Sequence, residues 1–285
     1  MKRFIRLVAI LFLIYSGLSF VIGLIGTVDQ EDDNYYDEEL YTNEEACEEY
    51  TKADSLETDI RLTHYRSWNK YSFDSVYCLT YSMSAMEAYP SFQFRNELNS
   101  EGETYEEYWR NIYYELVQHD AATISFLQDS LKNLAIQASL SRNDLARLIV
   151  SFIQDIPYNY VMPGPCDRDD HPCRGNEKFG ILSPAEFLFT LTGDCDTRSV
   201  LLYSMLKYFG FDSLIVISNE YRHAMIAIDL PATGDHLYYK GKKFYFWETT
   251  NTGWLPGMLP PETNNIAYWR ITLDHEYQTF PSRYR

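Results

Sequence analysis

The sequence predicts an α+β fold in which a helix that carries a cysteine packs on an antiparallel sheet. This core follows an N-terminal strand-and-helix region and an N-terminal transmembrane helix. Three observations lead to the prediction. An apolar run of helical period follows Cys195 and ends at Gly210. Beyond Gly210 the apolar runs have the length of strands, and residues 7–26 form a long, predominantly apolar segment.

The helix that begins near Cys195 is predicted by the spacing of its apolar side chains. One face repeats at i, i+3, i+4 and i+7, and its members are Leu202, Met205, Leu206 and Phe209. Cys195 lies seven residues before the first of them and shares that face. In the first turn, unpaired backbone N–H groups and the helix dipole favour a thiolate. A small core residue is the simpler alternative for a lone cysteine on an apolar face.

The segment after Gly210 has the pattern of an antiparallel sheet. Lys240 and Gly241 form a tight turn, so the strand that ends at Glu248 should return beside the strand that begins at His223. The start of one strand and the end of the other then lie at the same edge of the sheet, and we expect His223 and Glu248 to be neighbours. The predicted strands are residues 214–218, 223–230, 244–248 and 266–273.

The region ahead of Ser141 is predicted to contain strands followed by helices. Aromatic and β-branched residues between positions 61 and 94 favour a small sheet. Helical spacing then predicts helices over residues 105–119 and 122–138, and Ser141 is the N-cap of a third helix that ends near Asp155. The predicted divisions are a signal-anchor at 1–26, an acidic tether at 27–60, the strand-and-helix region at 61–140 and the core at 141–285.

The N-terminus has the composition of a membrane anchor followed by a tether. Basic residues precede the apolar run of residues 7–26, which as a helix would span about 30 Å, the thickness of a bilayer core. A cleaved signal peptide is the alternative, but the run continues past the small residues 17–19, so we favour an uncleaved anchor with the remaining chain outside the cytoplasm. Between Asp29 and Tyr50 there are eleven Asp or Glu residues and no Lys or Arg, which predicts an extended, solvated segment.

The charge and the cysteines limit the partners of this protein. A formal net charge of -17 argues against nucleic acid, because phosphate binding needs a basic surface. Five cysteines in an oxidising compartment leave one free thiol when the others pair. Cys166 and Cys173 close a short loop and are the preferred disulfide, and Cys47 with Cys78 is the second pair. Cys195 is then the free thiol.

Metal binding is the alternative role for the loop that holds Cys166 and Cys173. His171 lies between them, and a nearby aspartate would supply the fourth ligand. The spacing does not match a zinc knuckle, and the acidic run at residues 31–33 lacks the glycine turn of a calcium loop. We therefore predict no metal and no other cofactor.

The free cysteine, a histidine and a glutamate form a candidate catalytic set. We predict that Cys195 is the nucleophile, that His223 is the general base and acid, and that Glu248 orients His223 and fixes its tautomer. Attack on an amide produces an oxyanion, which the backbone N–H of Cys195 could stabilise. Gln154 is either a satisfied core residue or a second donor to that oxyanion. The side chains expected to line the substrate cleft are Asp194, Trp247 and Trp254.

These motifs carry a family resemblance. The stretch from Gly193 to Tyr203, with His223 at a strand start and residues 246–251 after it, resembles the core of the transglutaminase-like superfamily. The fold of that superfamily is similar to the papain-like cysteine proteases, and the resemblance covers residues 141–257. It implies a Cys–His–Asp/Glu triad that forms a thioester and passes the acyl group to water or an amine. Many members have Asp in the third position, where this chain has Glu248.

The expected function is that of a membrane-tethered, extracytoplasmic thiol enzyme that acts on amide or peptide bonds. Hydrolysis is favoured over amine transfer, and the partner is a peptide or protein substrate such as a component of the cell envelope. The alternative is a non-catalytic module on the same fold, which holds a peptide or cell-wall partner in the cleft.

Overall fold

The computed structural model describes residues 47–56, 59–69, 76–167 and 171–274. They form an α+β structure of six α-helices and antiparallel sheets, with one short parallel pair of strands. The helices are α1 (Ala85–Glu97), α2 (Tyr105–Asp120), α3 (Ser125–Gln137), α4 (Arg142–Gln154), α5 (Pro184–Thr190) and α6 (Cys195–Tyr208). The strands are β1 (Tyr50–Leu56), β2 (Asp59–Asn69), β3 (Val76–Ser84), β4 (Tyr160–Val161), β5 (Cys173–Arg174), β6 (Ser213–Ser218), β7 (His223–Ile228), β8 (His236–Tyr239), β9 (Lys242–Trp247) and β10 (Arg270–Leu273).

The helices of the described ranges are all too short or too polar to cross a membrane. The predicted fold class included a transmembrane helix. This part of the prediction is wrong for the described residues, because none of their helices can cross a membrane. The segment predicted to form that helix, residues 1–26, lies outside the described residues, as do the acidic positions 31–33. The corrected fold class for the described chain is an α+β structure with six helices and antiparallel sheets.

The larger sheet places the two predicted polar partners at one edge. Its strand order is β10-β6-β7-β9-β8, and all neighbouring strands are antiparallel. Lys240 and Gly241, with φ of 47° and 80°, form the tight turn between β8 and β9, which turns the chain back beside β7. The start of β7 at His223 and the residue after β9, Glu248, therefore meet at the same edge, as the strand pattern predicted.

Helix α6 is the centre of the core. It packs against β6 and β7 and against helices α2, α4 and α5. The face predicted from helical spacing is buried, and so are Val200, Leu201 and Tyr203 on other faces. Nearly every face of α6 is therefore buried. The hydrophobic spacing in the sequence identified only one of these faces.

The smaller sheet, β1-β2-β3, occupies chain that the sequence patterns divided differently. Residues 50–56 were predicted to belong to the acidic tether, but they form strand β1. They are a strand because they pair along their whole length with β2. Helix α1 begins within the region predicted as strand. Its start is a capping box, in which Ser84 accepts a hydrogen bond from the N–H of Glu87 and the Glu87 carboxylate accepts one from the N–H of Ser84.

Two disulfides join Cys47 to Cys78 and Cys166 to Cys173, as predicted, and they leave Cys195 as the free thiol. Both cysteines of the loop are consumed by the second disulfide, so they are not available as thiolate ligands for a metal. The two bonds indicate an oxidising, extracytoplasmic environment.

His64 on β2 connects the smaller sheet to the end of α5. Its Nε2 lies 3.0 Å from the carbonyl oxygen of Phe189 and its Nδ1 lies 2.8 Å from the hydroxyl of Thr51. A carbonyl only accepts, so Nε2 carries the proton and Nδ1 accepts from Thr51. Burial lowers the pKa of His64 to about 4, and the bond to Phe189 offsets this only in part. The fold therefore requires the neutral imidazole.

We expect His64 to make the protein sensitive to acid. Its pKa of about 4 lies below its ordinary value of 6.5, so between these values the unfolded chain binds a proton that the folded chain does not. The free energy of unfolding should fall by about 3 kcal/mol as the pH drops from 6.5 to 4. His64→Gln keeps a donor for Phe189 and should lack this step in urea midpoints measured against pH, whereas His171→Gln at an exposed position should retain it. An identical step in both variants would remove His64 as its cause.

Candidate active site

His223 and Glu248 form a directly bonded pair at the edge of the larger sheet. Nε2 of His223 lies 2.8 Å from Oε2 of Glu248. The other carboxylate oxygen accepts the N–H of Thr249 at 2.8 Å, the N–H of Thr250 at 2.9 Å and the hydroxyl of Thr250 at 2.8 Å. Burial acts to raise the pKa of Glu248, but the hydrogen bonds and charge of His223 and the bonds from Thr250 outweigh it and lower the pKa to about 2.

This carboxylate fixes the tautomer of His223. Glu248 is ionised at neutral pH and can only accept, so Nε2 of the neutral imidazole must carry the proton. The lone pair of the ring is then on Nδ1, which is the nitrogen that can take a proton. The ring of Trp269 packs edge-on against the imidazole, with centroids 5.9 Å apart, and this contact limits ring rotation. His223 is thus held as a base with one defined basic atom.

The turn before α6 places Cys195 as the first residue of that helix. Asp194 is the N-cap, and its Oδ1 accepts the N–H of Thr197 at 3.2 Å. A Cβ atom on Gly193 would lie 2.7 Å from Cγ2 of Thr197 and 3.0 Å from the ring of Phe187, so only glycine fits at this position. The thiol faces the backbone N–H of Ala224, the residue that follows His223. The structure therefore brings all three predicted catalytic residues to one edge of the sheet.

The surroundings of the thiol differ from the sequence-based expectation of a thiolate. Cys195 is only 5% exposed, and its Sγ lies 3.6 Å from Oδ2 of Asp196. Burial, followed by the charges of Asp196 and Asp194, raises the pKa of the thiol well above its usual value, although the N–H of Ala224 acts in the opposite direction. The resting cysteine is a thiol because these effects exceed that of the helix start.

Asp196 is a residue beside the candidate nucleophile that the sequence reasoning missed. Its Oδ1 accepts the hydroxyl of Tyr113, a fully buried side chain of α2. Burial raises the pKa of Asp196, while the bond from Tyr113 and the positive charge of His223 lower it. Burial also raises the pKa of Asp194 well above its usual value. The position of Asp196 directly after the cysteine was the available signal, but its partner Tyr113 is 83 residues away in the chain.

Gln154 does not have the geometry of an oxyanion donor, and that alternative is corrected. Its side-chain nitrogen donates to the carbonyl of Glu248 at 2.7 Å and to the carbonyl of Trp254 at 3.1 Å. An amide nitrogen has two hydrogens, so both are used. Of the two alternatives, Gln154 is therefore the satisfied core residue. Its hydrogen bonds hold the segment that contains Glu248 in place.

Tyr158, in the segment after α4, is another residue that the sequence patterns did not single out. Its oxygen faces the backbone N–H of Cys195, and its ring lies below the guanidinium of Arg198 at 5.5 Å from the centroid. Burial, followed by the charges of Cys195 and Asp194, raises the pKa of Tyr158. The hydroxyl therefore keeps its proton and remains a hydrogen-bond donor beside the predicted oxyanion position.

A cleft of about 200 Å³ opens beside His223. Asp194 belongs to its lining, whereas Trp247 and Trp254 do not: Trp247 is buried and donates to the carbonyl of Trp254 at 2.9 Å. Tyr105 and Trp109 are one helical turn apart on α2 and form an aromatic wall of the cleft, which the sequence reasoning did not predict. The residues that line the cleft are Tyr105, Trp109, Val161, Pro163, Phe179, Gly180, Asp194, Asp196, Ile217, Arg222 and His223.

Arg198 joins the segments that carry the site. It is 0% exposed, and its guanidinium donates only to carbonyl oxygens among the described residues. Burial lowers its pKa to about 10, so it stays charged at neutral pH. The acceptors are the carbonyls of Ile153 at 2.8 Å, Ile156 at 2.5 Å, Pro157 at 2.8 Å, Gly193 at 3.2 Å and Thr249 at 3.3 Å.

Replacement of this guanidinium should destabilise the fold. Arg198→Lys provides a point charge in place of a planar fork, so several buried carbonyls lose their donor, and we expect a loss of about 3 kcal/mol or more. Arg142→Lys is the matched control, because this exposed arginine also donates to a carbonyl, that of Gly210. Its effect should stay within about 0.5 kcal/mol. Urea denaturation measures both, and equal effects would contradict the role of Arg198.

Comparisons with known proteins identify no relative of this chain. No protein-family model matches the sequence. The searches of curated proteins and of solved structures also give no match. The functional assignment therefore depends on the geometry of the chain's own residues.

Proposed function

We propose that this protein is an extracytoplasmic thiol enzyme that acts on amide or peptide bonds, with the chemistry of the transglutaminase-like superfamily that its motifs resemble. Cys195 is the nucleophile, His223 the general base and acid, and Glu248 the orienting carboxylate. The observation that carries this proposal is the 2.8 Å bond between His223 and Glu248, at the sheet edge where the Cys195 thiol faces the N–H of Ala224. The peptide or protein substrate enters by the cleft beside His223.

The reaction begins with the neutral thiol. As Sγ of Cys195 attacks the carbonyl carbon, its proton passes to Nδ1 of His223 and an oxyanion forms. The imidazolium is stabilised by Glu248, whose carboxylate is already ionised and bonded. His223 then gives the proton to the departing amine, and the thioester remains. Water attacks the thioester with His223 again as base, and the acid product and the thiol are released.

The oxyanion is stabilised by the first turn of α6. The backbone N–H of Cys195 points out of the helix start, where it has no acceptor within the helix. The hydroxyl of Tyr158 faces this N–H and supplies the second donor when an oxyanion takes its place between them. In this proposal Tyr158 is the second oxyanion donor, because both hydrogens of the Gln154 amide are already used.

The acceptor of the acyl group is water in this proposal, and an amine is the competing acceptor. Both need the same three residues, because each must lose a proton to His223 before or during attack. Product analysis separates them: a free carboxylic acid indicates hydrolysis, and a new amide formed with an added amine indicates transfer.

A non-catalytic binding module is the second candidate function. The observation that favours it is the burial of the Cys195 thiol, whose Sγ lies 3.6 Å from Oδ2 of Asp196. In that case the cleft would hold a peptide or cell-wall partner, and the histidine and glutamate would be a structural ion pair.

We expect an activated ester to separate these functions. Incubation with p-nitrophenyl acetate should release p-nitrophenolate and leave an acetyl group on Cys195, detected by peptide mass spectrometry. Cys195→Ala should give no acetylated peptide at this position. His223→Ala should slow acetylation by about 100-fold or more, since proton transfer by a positioned base is worth that much.

The third residue is tested by Glu248→Gln in the same assay. Glutamine can offer its N–H to Nε2 and so no longer enforces the reactive tautomer, and acetylation should slow by about 10-fold or more. Glu262→Gln, at an exposed position, is the matched control and should leave the rate unchanged. Equal acetylation of the wild type and His223→Ala would contradict the enzyme and leave the binding module.

A further inference from the structure

Asp196 is the side chain that contacts the nucleophile in the resting structure. Its Oδ2 lies 3.6 Å from Sγ of Cys195, within reach of a weak S–H donor, and its Oδ1 accepts the hydroxyl of Tyr113. The proposed reaction assigns no step to either residue. The geometry of a carboxylate held between a buried phenol and the thiol requires a separate explanation.

We propose that Asp196 is a positioning residue that keeps the Cys195 thiol protonated in the resting protein. The inference rests on the proposed function, since it concerns the reactivity of the same nucleophile. A carboxylate accepts a hydrogen bond from the thiol only while sulfur keeps its proton. Once the proton is lost, two negative charges face each other across a short distance with little water between them. The thiol therefore loses its proton only when His223 takes it during attack.

Tyr113 favours the ionised form of Asp196, which this role uses, and so acts against the effect of burial. The phenol is fully buried, and burial raises its pKa well above the usual value, so it stays a donor at all physiological pH values. Its bond to Oδ1 lowers the pKa of Asp196 against the effect of burial. Tyr113 lies on α2 and Asp196 on α6, so the packing of these two helices influences the charge state beside the thiol.

Other titratable groups also surround the thiol and Asp196, from α2, α6, β7 and the segments next to α4, α6 and β9. Asp194 also disfavours the thiolate by its charge, but its Oδ1 accepts the N–H of Thr197 in place of the thiol. Glu248, which is bonded to His223, acts in the same direction and has a smaller effect than either aspartate. The groups around Cys195 and Asp196 are Asp194, Tyr105, Tyr113, Tyr158, Arg198, His223 and Glu248.

The test is the rate of alkylation by iodoacetamide as a function of pH. The label should report on Cys195 alone, because the other four cysteines are in disulfides. In Asp196→Asn we expect the midpoint of the pH profile to fall by about one unit and the rate at pH 7 to rise about 10-fold. Asp194→Asn is the matched control, since it removes the same charge and asparagine still caps the helix. It should shift the midpoint by less than half as much.

The midpoint distinguishes this role from a structural one. A variant that merely opens the site would be alkylated faster at every pH with the midpoint unchanged, and that result, or equal shifts in both asparagine variants, would overturn the inference. Tyr113→Phe provides a second variant in case Asp196→Asn fails to fold. It should shift the midpoint in the same direction by a smaller amount, and an unchanged midpoint would contradict the role of Tyr113.

The proposed function and this inference can fail separately. Acetylation by p-nitrophenyl acetate in His223→Ala reports on the proposed function. The alkylation profile of Asp196→Asn reports on the state of the thiol and needs no substrate. A normal acetylation result with an unchanged alkylation midpoint would remove the inference and leave the enzyme.

Discussion

The geometry of the site depends on one buried charge, the guanidinium of Arg198. Taking an arginine out of water is costly unless its donors are satisfied, and here five carbonyl oxygens satisfy them. These carbonyls come from three segments, and each segment adjoins a residue of the site. Pro157 precedes Tyr158, Gly193 lies two residues before Cys195, and Thr249 follows Glu248. A single side chain therefore joins the segments that carry Tyr158, Cys195 and Glu248, which are the proposed oxyanion donor, nucleophile and orienting acid.

The same arginine contributes to the charge balance of a strongly acidic site. Its acceptors are neutral, so its positive charge is not cancelled by a bonded carboxylate among the described residues and acts on Asp194, Cys195 and Glu248. Glu248 remains ionised because it is bonded to His223 and Thr250, whereas burial raises the pKa values of Asp194 and Asp196. Hydrogen bonds thus stabilise the carboxylate of Glu248, whereas burial and the neighbouring carboxylates oppose a negative charge on the thiol of Cys195. In the proposed reaction, a proton moves from sulfur to imidazole once a substrate carbonyl accepts the developing negative charge.

Local patterns predicted the parts of the site that short stretches of chain determine. The turn at Lys240 and strands of fixed length bring Glu248 beside His223, and a capped helix start presents Cys195. The contacts that local patterns missed join distant positions: Gln154 to Trp254 over 100 residues and Tyr113 to Asp196 over 83. Such pairs depend on how helices dock, which periodicity does not encode. Helix α1 is different, since the Ser84 capping box was present in the sequence but aromatic content favoured a strand.

The proposed role of Asp196 connects the oxidising compartment with the protonation state of the Cys195 thiol. Disulfides at Cys47–Cys78 and Cys166–Cys173 persist only under oxidising conditions, and in such conditions an accessible thiolate exchanges with disulfides or is oxidised. A free cysteine can remain reduced there if it is buried and kept as a thiol, because the thiolate is the species that reacts. Cys195 meets both conditions, through the packing of α6 and the carboxylate beside its sulfur. For the proposed enzyme, a nucleophile that is activated only during attack therefore suits this environment.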